Sequence, residues 1–402
     1  MNPFELIKSC ELELADEFAQ IDSTCDLNLQ RVLNAFSVVT LSESDLVGST
    51  GYGLGDTSRD KLERVYSLVF GGEASLVRPQ IASGTHAIAC VLFGLLRPGD
   101  VMVSITGTPY DTLQEVIGIR QSAGSLAEFG IGYKETDWRC DNPDGSMLDE
   151  NTKIVYIQRS SGYRRGHSVT INQLSGWIDR INVKAPNAVV VVDNCYCEFI
   201  GDKTPCDLGA DVTVGSLIKN PGGGLAKTGG YIVGKKDLVE KIATRVTAPG
   251  IGSEVGATFG FIRDAFHGLY LAPSISASAL KGALLWSRCF EKLGHKVFPL
   301  SSDSRADIVT SIELGSRDKF IKFGKAIQSV SPIDSTSTPE PFAQGGYDAD
   351  VLLSGGGFIT GSTSELSADG LDKSPYVVYV QGGVNMSHIR LGIARVIEAL
   401  SS

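Results

Sequence analysis

Between residues 75 and 235 the chain switches repeatedly between two hydrophobic periods, which restricts it to few architectures. Short apolar runs at 75–79, 101–104, 152–158, 188–193, 212–216 and 230–233 read as strands. The intervening stretches 85–96, 112–122 and 171–181 place apolar residues at helical spacing. Parallel strands need long crossovers, usually helical, so the alternation predicts an α/β fold with a mostly parallel sheet covered by helices on both faces. The run Ala-Val-Val-Val-Val at 188–192 has no polar alternation, as expected of a central strand buried on both sides.

The flanks differ from this pattern. Residues 4–37 carry Phe4, Leu6, Leu12, Leu14, Phe18 and Ile21 at helical spacing and read as an amphipathic arm packed on the body or on a second subunit. A turn too glycine-rich for regular structure follows at 48–56, and helical period returns at 60–69. Residues 273–293 read as a long helix leading out of the sheet domain. Beyond it, 297–300, 308–314, 358–360, 376–380 and 389–394 read as strands of a smaller α+β domain, with a surface loop at 332–342. The expected division is a helical arm at 1–47, a large domain at 48–285 and a small C-terminal domain at 286–402.

A net charge of −10 argues against nucleic acid or an anionic membrane as partner. No stretch reaches the roughly 18 uninterrupted apolar residues of a membrane helix. No basic segment followed by an apolar one reads as a signal peptide, so the expected location is the cytoplasm. The eight cysteines are scattered and read as free thiols. Cys195 and Cys197 form the only close pair, and their spacing matches no common zinc pattern, so no metal site is expected.

Asp193 ends the central strand, where open α/β sheets place their ligands. Lys219 follows the strand at 212–216 on a small-residue, glycine-flanked turn, where an amine can be held dry and close to neutral. A Schiff-base lysine and a carboxylate for the pyridinium nitrogen are what pyridoxal 5′-phosphate requires. Ser83, Gly84 and Thr85 open a helix after a strand and form a phosphate cradle, to which Ser216 adds a hydroxyl. By itself that pattern is also ordinary helix capping. Tyr110, past the strand at 101–104, is placed to stack on a ring or to donate a proton to a leaving group. Arg390, in Ser-His-Ile-Arg-Leu-Gly-Ile-Ala, reads as a buried guanidinium on a strand that binds a substrate carboxylate. Lys227 is the rival Schiff-base lysine, disfavoured because no strand and no Ser216 equivalent precede it.

With these residues in this order, the chain resembles the fold type I pyridoxal-phosphate enzymes of Cys/Met metabolism. It is most similar to the branch of aluminium-resistance, or methionine γ-lyase family, proteins. The likeness runs from Gly-Tyr-Gly-Leu-Gly-Asp (51–56) to His-Ile-Arg-Leu-Gly-Ile-Ala (388–394), with Arg-Ser-Ser-Gly-Tyr-Arg-Arg (159–165) and Ser-Leu-Ile-Lys-Asn-Pro-Gly-Gly-Gly (216–224) particular to that branch. The resemblance implies a seven-stranded sheet and assigns Lys219 as the cofactor lysine, Asp193 as pyridinium partner, and Ser83, Gly84, Thr85 and Ser216 as phosphate ligands. It also implies that Tyr110 stacks, that Arg390 binds carboxylate, and that Tyr52 reaches the phosphate of a neighbouring subunit in a homotetramer built as a dimer of dimers. In the better-known members an Asn precedes the aspartate near the cofactor's phenolic oxygen. Here Gln-Arg-Ser-Ser-Gly (158–162) puts Ser160 or Ser161 in that place.

The implied activity is elimination of a thiol from a sulfur amino acid, as in methionine γ-lyase or a cystathionine β- or γ-lyase. Other pyridoxal-phosphate reactions, such as transamination, share the fold, and a non-catalytic metal-tolerance scaffold using Cys195 and Cys197 is the reading from another class.

Overall fold

The computed structural model describes residues 2–52, 55–140, 145–162, 166–345, 347 and 349–401. Helices α1 (Pro3–Glu13), α2 (Ala15–Val38) and α3 (Thr57–Phe70) precede the first strand. The large sheet is then laid down as β1 (Ala74–Arg78), α4 (Gly84–Leu95), β2 (Val101–Ser104), α5 (Asp111–Ile117), β3 (Gly132–Glu135), β4 (Thr152–Gln158), α6 (Ile171–Lys184), β5 (Val189–Asp193), β6 (Val212–Ser216) and β7 (Gly230–Gly234). Helices α7 (Lys236–Val246) and α8 (Phe261–Lys292) lead out of it. A second sheet follows with β8 (Lys296–Phe298), β9 (Thr310–Glu313), α9 (Arg317–Ser329), β10 (Val351–Ser354), β11 (Ser367–Leu371), β12 (Val377–Gln381) and α10 (Met386–Ser401).

The seven-stranded sheet has the order β1-β7-β6-β5-β4-β2-β3. From β6 to β3 every pairing is parallel, and β7 is antiparallel to both of its neighbours. β5 sits in the middle with its interior valines buried. Each valine removed from water contributes about 1.5–3 kcal/mol. Val191 faces the core that contains α4 and α7, while Val190 and Val192 face the one that contains α6. Two covered faces require the all-apolar run seen in the sequence, and Asp193 is the first polar group at its carboxyl end.

The five-stranded sheet, β10-β11-β12-β9-β8, is antiparallel. α8 serves both sheets. Phe261, Ala265, Leu269 and Ala272 pack behind the large sheet, whereas Leu284, Leu285, Trp286 and Phe290 enter the core over the small one. The expected boundary at 285/286 therefore falls inside one continuous helix, which begins twelve residues before the expected 273 and carries Pro273 within it. The arm packs on the same chain: Leu6, Ile7, Cys10 and Leu14 join the small-sheet core.

Two expectations fail here. Residues 389–394 are helical, within α10, because Ile389, Ile393, Val396 and Ile397 recur at the spacing that buries one helix face. Residues 358–360 form no strand, and β3, β10 and β11 carried too weak a pattern to be read.

Candidate active site

A cavity of about 710 Å³ opens beyond the carboxyl ends of the parallel strands, and the second sheet closes its far side through Leu371 and Gln381, with Val309 just before β9. Strand ends and the turns after them supply its other walls. Ser83, Gly84, Thr85, Tyr110, Asp193, Ser216 and Lys219 all line it. Residues far apart in sequence meet because parallel strands deliver all their exits to one edge.

Ser83 is the N-cap of α4, its Oγ accepting the N–H of His86 at 3.0 Å. The first-turn N–H groups of such a helix have no intrahelical acceptor and carry the positive end of its dipole. A Cβ on Gly84 would come within 3.3 Å of both Cys195 Sγ and Ser216 Cβ, so glycine lets the cradle lie against β6. Among the described residues, Ser216 Oγ is buried there without a hydrogen-bond partner. Tyr110 donates its hydroxyl proton to Thr85 Oγ1 at 2.9 Å, and its N–H donates to Gln158 Oε1 at 3.2 Å. Burial, then the nearby Asp193 charge, hold the Tyr110 phenol well above its ordinary pKa.

Asp193 is 3% exposed. Its two oxygens accept the N–H of Cys195 at 3.1 Å and the hydroxyl of Tyr156 at 3.2 Å. Burial raises its pKa, against the pull of the Cys195 N–H, the Tyr156 hydroxyl and the Lys219 charge.

Lys219 Nζ donates to the Tyr196 hydroxyl oxygen at 3.2 Å and to the Gly361 carbonyl at 3.1 Å, and lies 4.7 Å from the centre of the Tyr196 ring. Burial presses its pKa down, but Tyr196, Cys195 and Asp369 outweigh burial and raise it. The expectation of a near-neutral amine is corrected accordingly: desolvation alone would depress a lysine, and its polar neighbours reverse the sign. The turn after Lys219 is pinned by Gly223, whose φ of +53° and approach to the Gly268 carbonyl on α8 leave no room for a side chain.

Other site expectations fare differently. Lys227 lies outside the cavity, exposed and paired with Asp264 at 3.5 Å. Arg390 is also outside: on α10 rather than a strand, it points from the half-exposed helix face and gives Nε to Glu11 Oε1 at 2.7 Å. The pattern misled because an arginine beside buried isoleucines on a helix points away from them. Tyr52 is 88% exposed and bridges Val255, away from the cavity of its own chain. Gly53, Leu54 and residues 163–165 lie outside the described residues. Of the two candidate serines, Ser160 lines the cavity, whereas Ser161 turns its N–H and hydroxyl to Asp307 at 2.8 and 3.0 Å. Among the described residues, no group of three or more His, Cys, Asp or Glu side chains could hold a metal.

Sequence reasoning missed Tyr156, Gln158, Tyr196 and Tyr347, the last three of which line the cavity. An aromatic three positions past a strand-end aspartate was the available signal for Tyr196.

A family model described as Methionine gamma-lyase matches residues 4–401. Protein YnbB of Bacillus subtilis (strain 168) is 45% identical over 407 residues, covering 98% of this chain and 97% of its own. L-methionine gamma-lyase of Pseudomonas putida is 30% identical over 184 residues, 45% of this chain and 42% of its own. The structure of a carbon-sulfur lyase involved in aluminum resistance from Clostridium novyi NT superposes with a TM-score of 0.93 at 44% identity, over 98% of this chain and 95% of that one. At 18% identity, the methionine gamma lyase CalE6 of Micromonospora echinospora shares the fold, with a TM-score of 0.60 over 88% and 92% of the two chains. The match runs almost from end to end, and this chain belongs to the methionine gamma-lyase family.

Proposed function

We propose that the cavity holds pyridoxal 5′-phosphate in a fold type I arrangement and that the protein is a carbon–sulfur lyase acting on a sulfur amino acid. The observation that carries the reading is a buried acid and a lysine amine facing one cavity beside a helix N-terminus, Asp193, Lys219 and Ser83–Thr85. The donor set fits the cofactor. A buried hydroxyl without a partner costs about 1–3 kcal/mol, and phosphate would give Ser216 Oγ an acceptor. The tight approach at Gly84 brings helix N–H groups to the same place. When bound, the cofactor supplies an electron sink for the bond broken at the substrate's α-carbon.

The chain's own residues divide the remaining work. Ser83, Gly84, Thr85 and Ser216 would hold the phosphate. Asp193, oriented by Tyr156 and the Cys195 N–H, would hold a proton on the ring nitrogen. Lys219 would anchor the cofactor and serve as the base that takes the substrate's α-proton. Tyr110 would lie on the ring face, its hydroxyl proton directed at Thr85 Oγ1. Loss of a thiol and addition of water leave a 2-oxo acid and ammonia. The names of the Pseudomonas and Clostridium proteins support this class, which spans methionine γ-lyase and cystathionine lyase chemistry. A homotetramer with Tyr52 serving a neighbouring subunit's phosphate is part of the same proposal, and the exposure of Tyr52 is compatible with it.

The deciding experiment is the visible spectrum of the purified protein before and after borohydride, beside Lys219→Ala. A band that borohydride removes and the variant lacks is expected, with 2-oxo acid and thiol released from a sulfur amino acid. A protein that stays colourless with added pyridoxal phosphate would sink the reading.

A further inference from the structure

Tyr196 takes no part in the reaction as assigned, yet its backbone is held in an unusual state to reach the site. Its φ is +70°, a region where Cβ crowds the carbonyl and which a bulky residue enters only when its surroundings dictate it. Those surroundings are visible. Arg159 Nη1 donates to Asn194 Oδ1 at 2.6 Å, and Cys197 N–H donates to the Asn194 carbonyl at 2.9 Å, fixing the turn on either side. The ring packs on the small cluster of Ala279, Leu280 and Ile308. The outcome is a hydroxyl 3.2 Å from Lys219 Nζ and a ring face 4.7 Å from the same atom.

We propose that Tyr196 is the positioning residue of Lys219, its hydroxyl oxygen and ring face fixing the free amine at the cavity wall where it can take a proton from a substrate carbon. The inference rests on the carbon–sulfur lyase reading of this site. A lysine has four rotatable bonds, so an unbonded amine needs further contacts to stay in place. The Gly361 carbonyl is one, and Tyr196 supplies the hydrogen bond and the cation–π contact that complete the cage. The same contacts tune basicity. The groups facing Nζ are Tyr196 and Cys195 on the turn, Asp193 at the end of β5, Asp369 on β11 and the Gly361 carbonyl, and Tyr196 is the foremost of those that favour the charged amine.

Tyr196→Phe keeps the ring and removes the oxygen. In full-length protein stripped of cofactor, modification of Lys219 by trinitrobenzenesulfonate, read by peptide mass spectrometry across pH, should show its midpoint falling by about half a unit to one unit. In the cofactor-loaded protein, kcat should fall roughly tenfold to a hundredfold with KM within about twofold, as expected for a misplaced base. Tyr196→Asn, which tolerates positive φ but removes the ring as well as the oxygen, should move the midpoint in the same direction by at least as much. An unmoved midpoint with unchanged kcat in Tyr196→Phe would overturn the proposal. The two failures read separately. A protein that binds no cofactor but shows the labelling shift loses the lyase reading and with it the catalytic purpose, whereas one that binds cofactor with an unmoved midpoint loses only Tyr196.

Discussion

The turn after β5 separates two buried regions, and each has its own acid. On the cavity side Asp193 offers both oxygens to donors, the Cys195 N–H and the Tyr156 hydroxyl. Behind it, Glu198 faces β6 and β7, where one oxygen accepts the Tyr231 hydroxyl at 2.9 Å and the other has no partner among the described residues. Gly215 makes space for that second acid, since a Cβ there would lie 2.6 Å from Glu198 Oε1. Burial pushes Glu198 up to about 8, so it spends neutral pH carrying a proton. Asp193 is also raised by burial, but donors and the Lys219 charge act against that. Two acids five positions apart are thus suited to different ends. The one whose lone pairs are met by donors and a cation is the one aimed into the cavity.

Asp193→Asn should have the largest effect. It removes the carboxylate while keeping the shape, and turnover should drop on the order of 10²–10³-fold, the usual scale for losing one preorganised electrostatic partner. Steady-state kinetics on a sulfur amino acid would check it, and near-normal turnover would end the distinction between the two acids.

Glu198→Gln should leave turnover close to wild type and change instead how stability depends on pH. The folded-state pKa of Glu198 lies above its unfolded value, so its contribution is fully present below about 4.5 and is lost as pH rises through about 8. At about 1.4 kcal/mol per pH unit, the loss between pH 6 and pH 9 is of the order of a few kcal/mol. Thermal melts at those two pH values should diverge in wild type and converge in the variant. Equal convergence in both proteins would mean that Glu198 does not hold its proton.

The smallest effect belongs to a residue outside both regions. Arg390→Ala removes a half-exposed pair with Glu11, a contact of about 0.2–1 kcal/mol, so the melting temperature should move by at most about 2 °C. KM should stay within about twofold. A large rise in KM would return Arg390 to the site and show that the cavity differs when occupied.

Arg390 also shows where reading the chain succeeded and where it stopped. Strands β2, β4 and β6 have the bounds that their apolar runs suggest, and Asp193 and Lys219 stand at one cavity as the strand exits require. Long runs buried on two faces leave little ambiguity. The stretch 389–394 is short, its apolar residues suit either period, and only the packing of Ile389, Ile393 and Ile397 against α8 and α9 selects the helix. β3 and β10 lie at sheet edges and β11 lies beside β10; none of the three is buried throughout, and they left no such trace.

The sequence by itself determined the parallel layout of the central strands and the identity of the residues at their exits, because burial on both faces and crossover geometry are local consequences of composition and spacing. The tertiary structure alone decided which neighbours those residues meet. Tyr196 against Lys219, Glu198 against Tyr231 and Ser161 against Asp307 are contacts across 23, 33 and 146 positions. A lysine's charge, an acid's proton and a tyrosine's backbone are set by such neighbours, and no hydrophobic period encodes them.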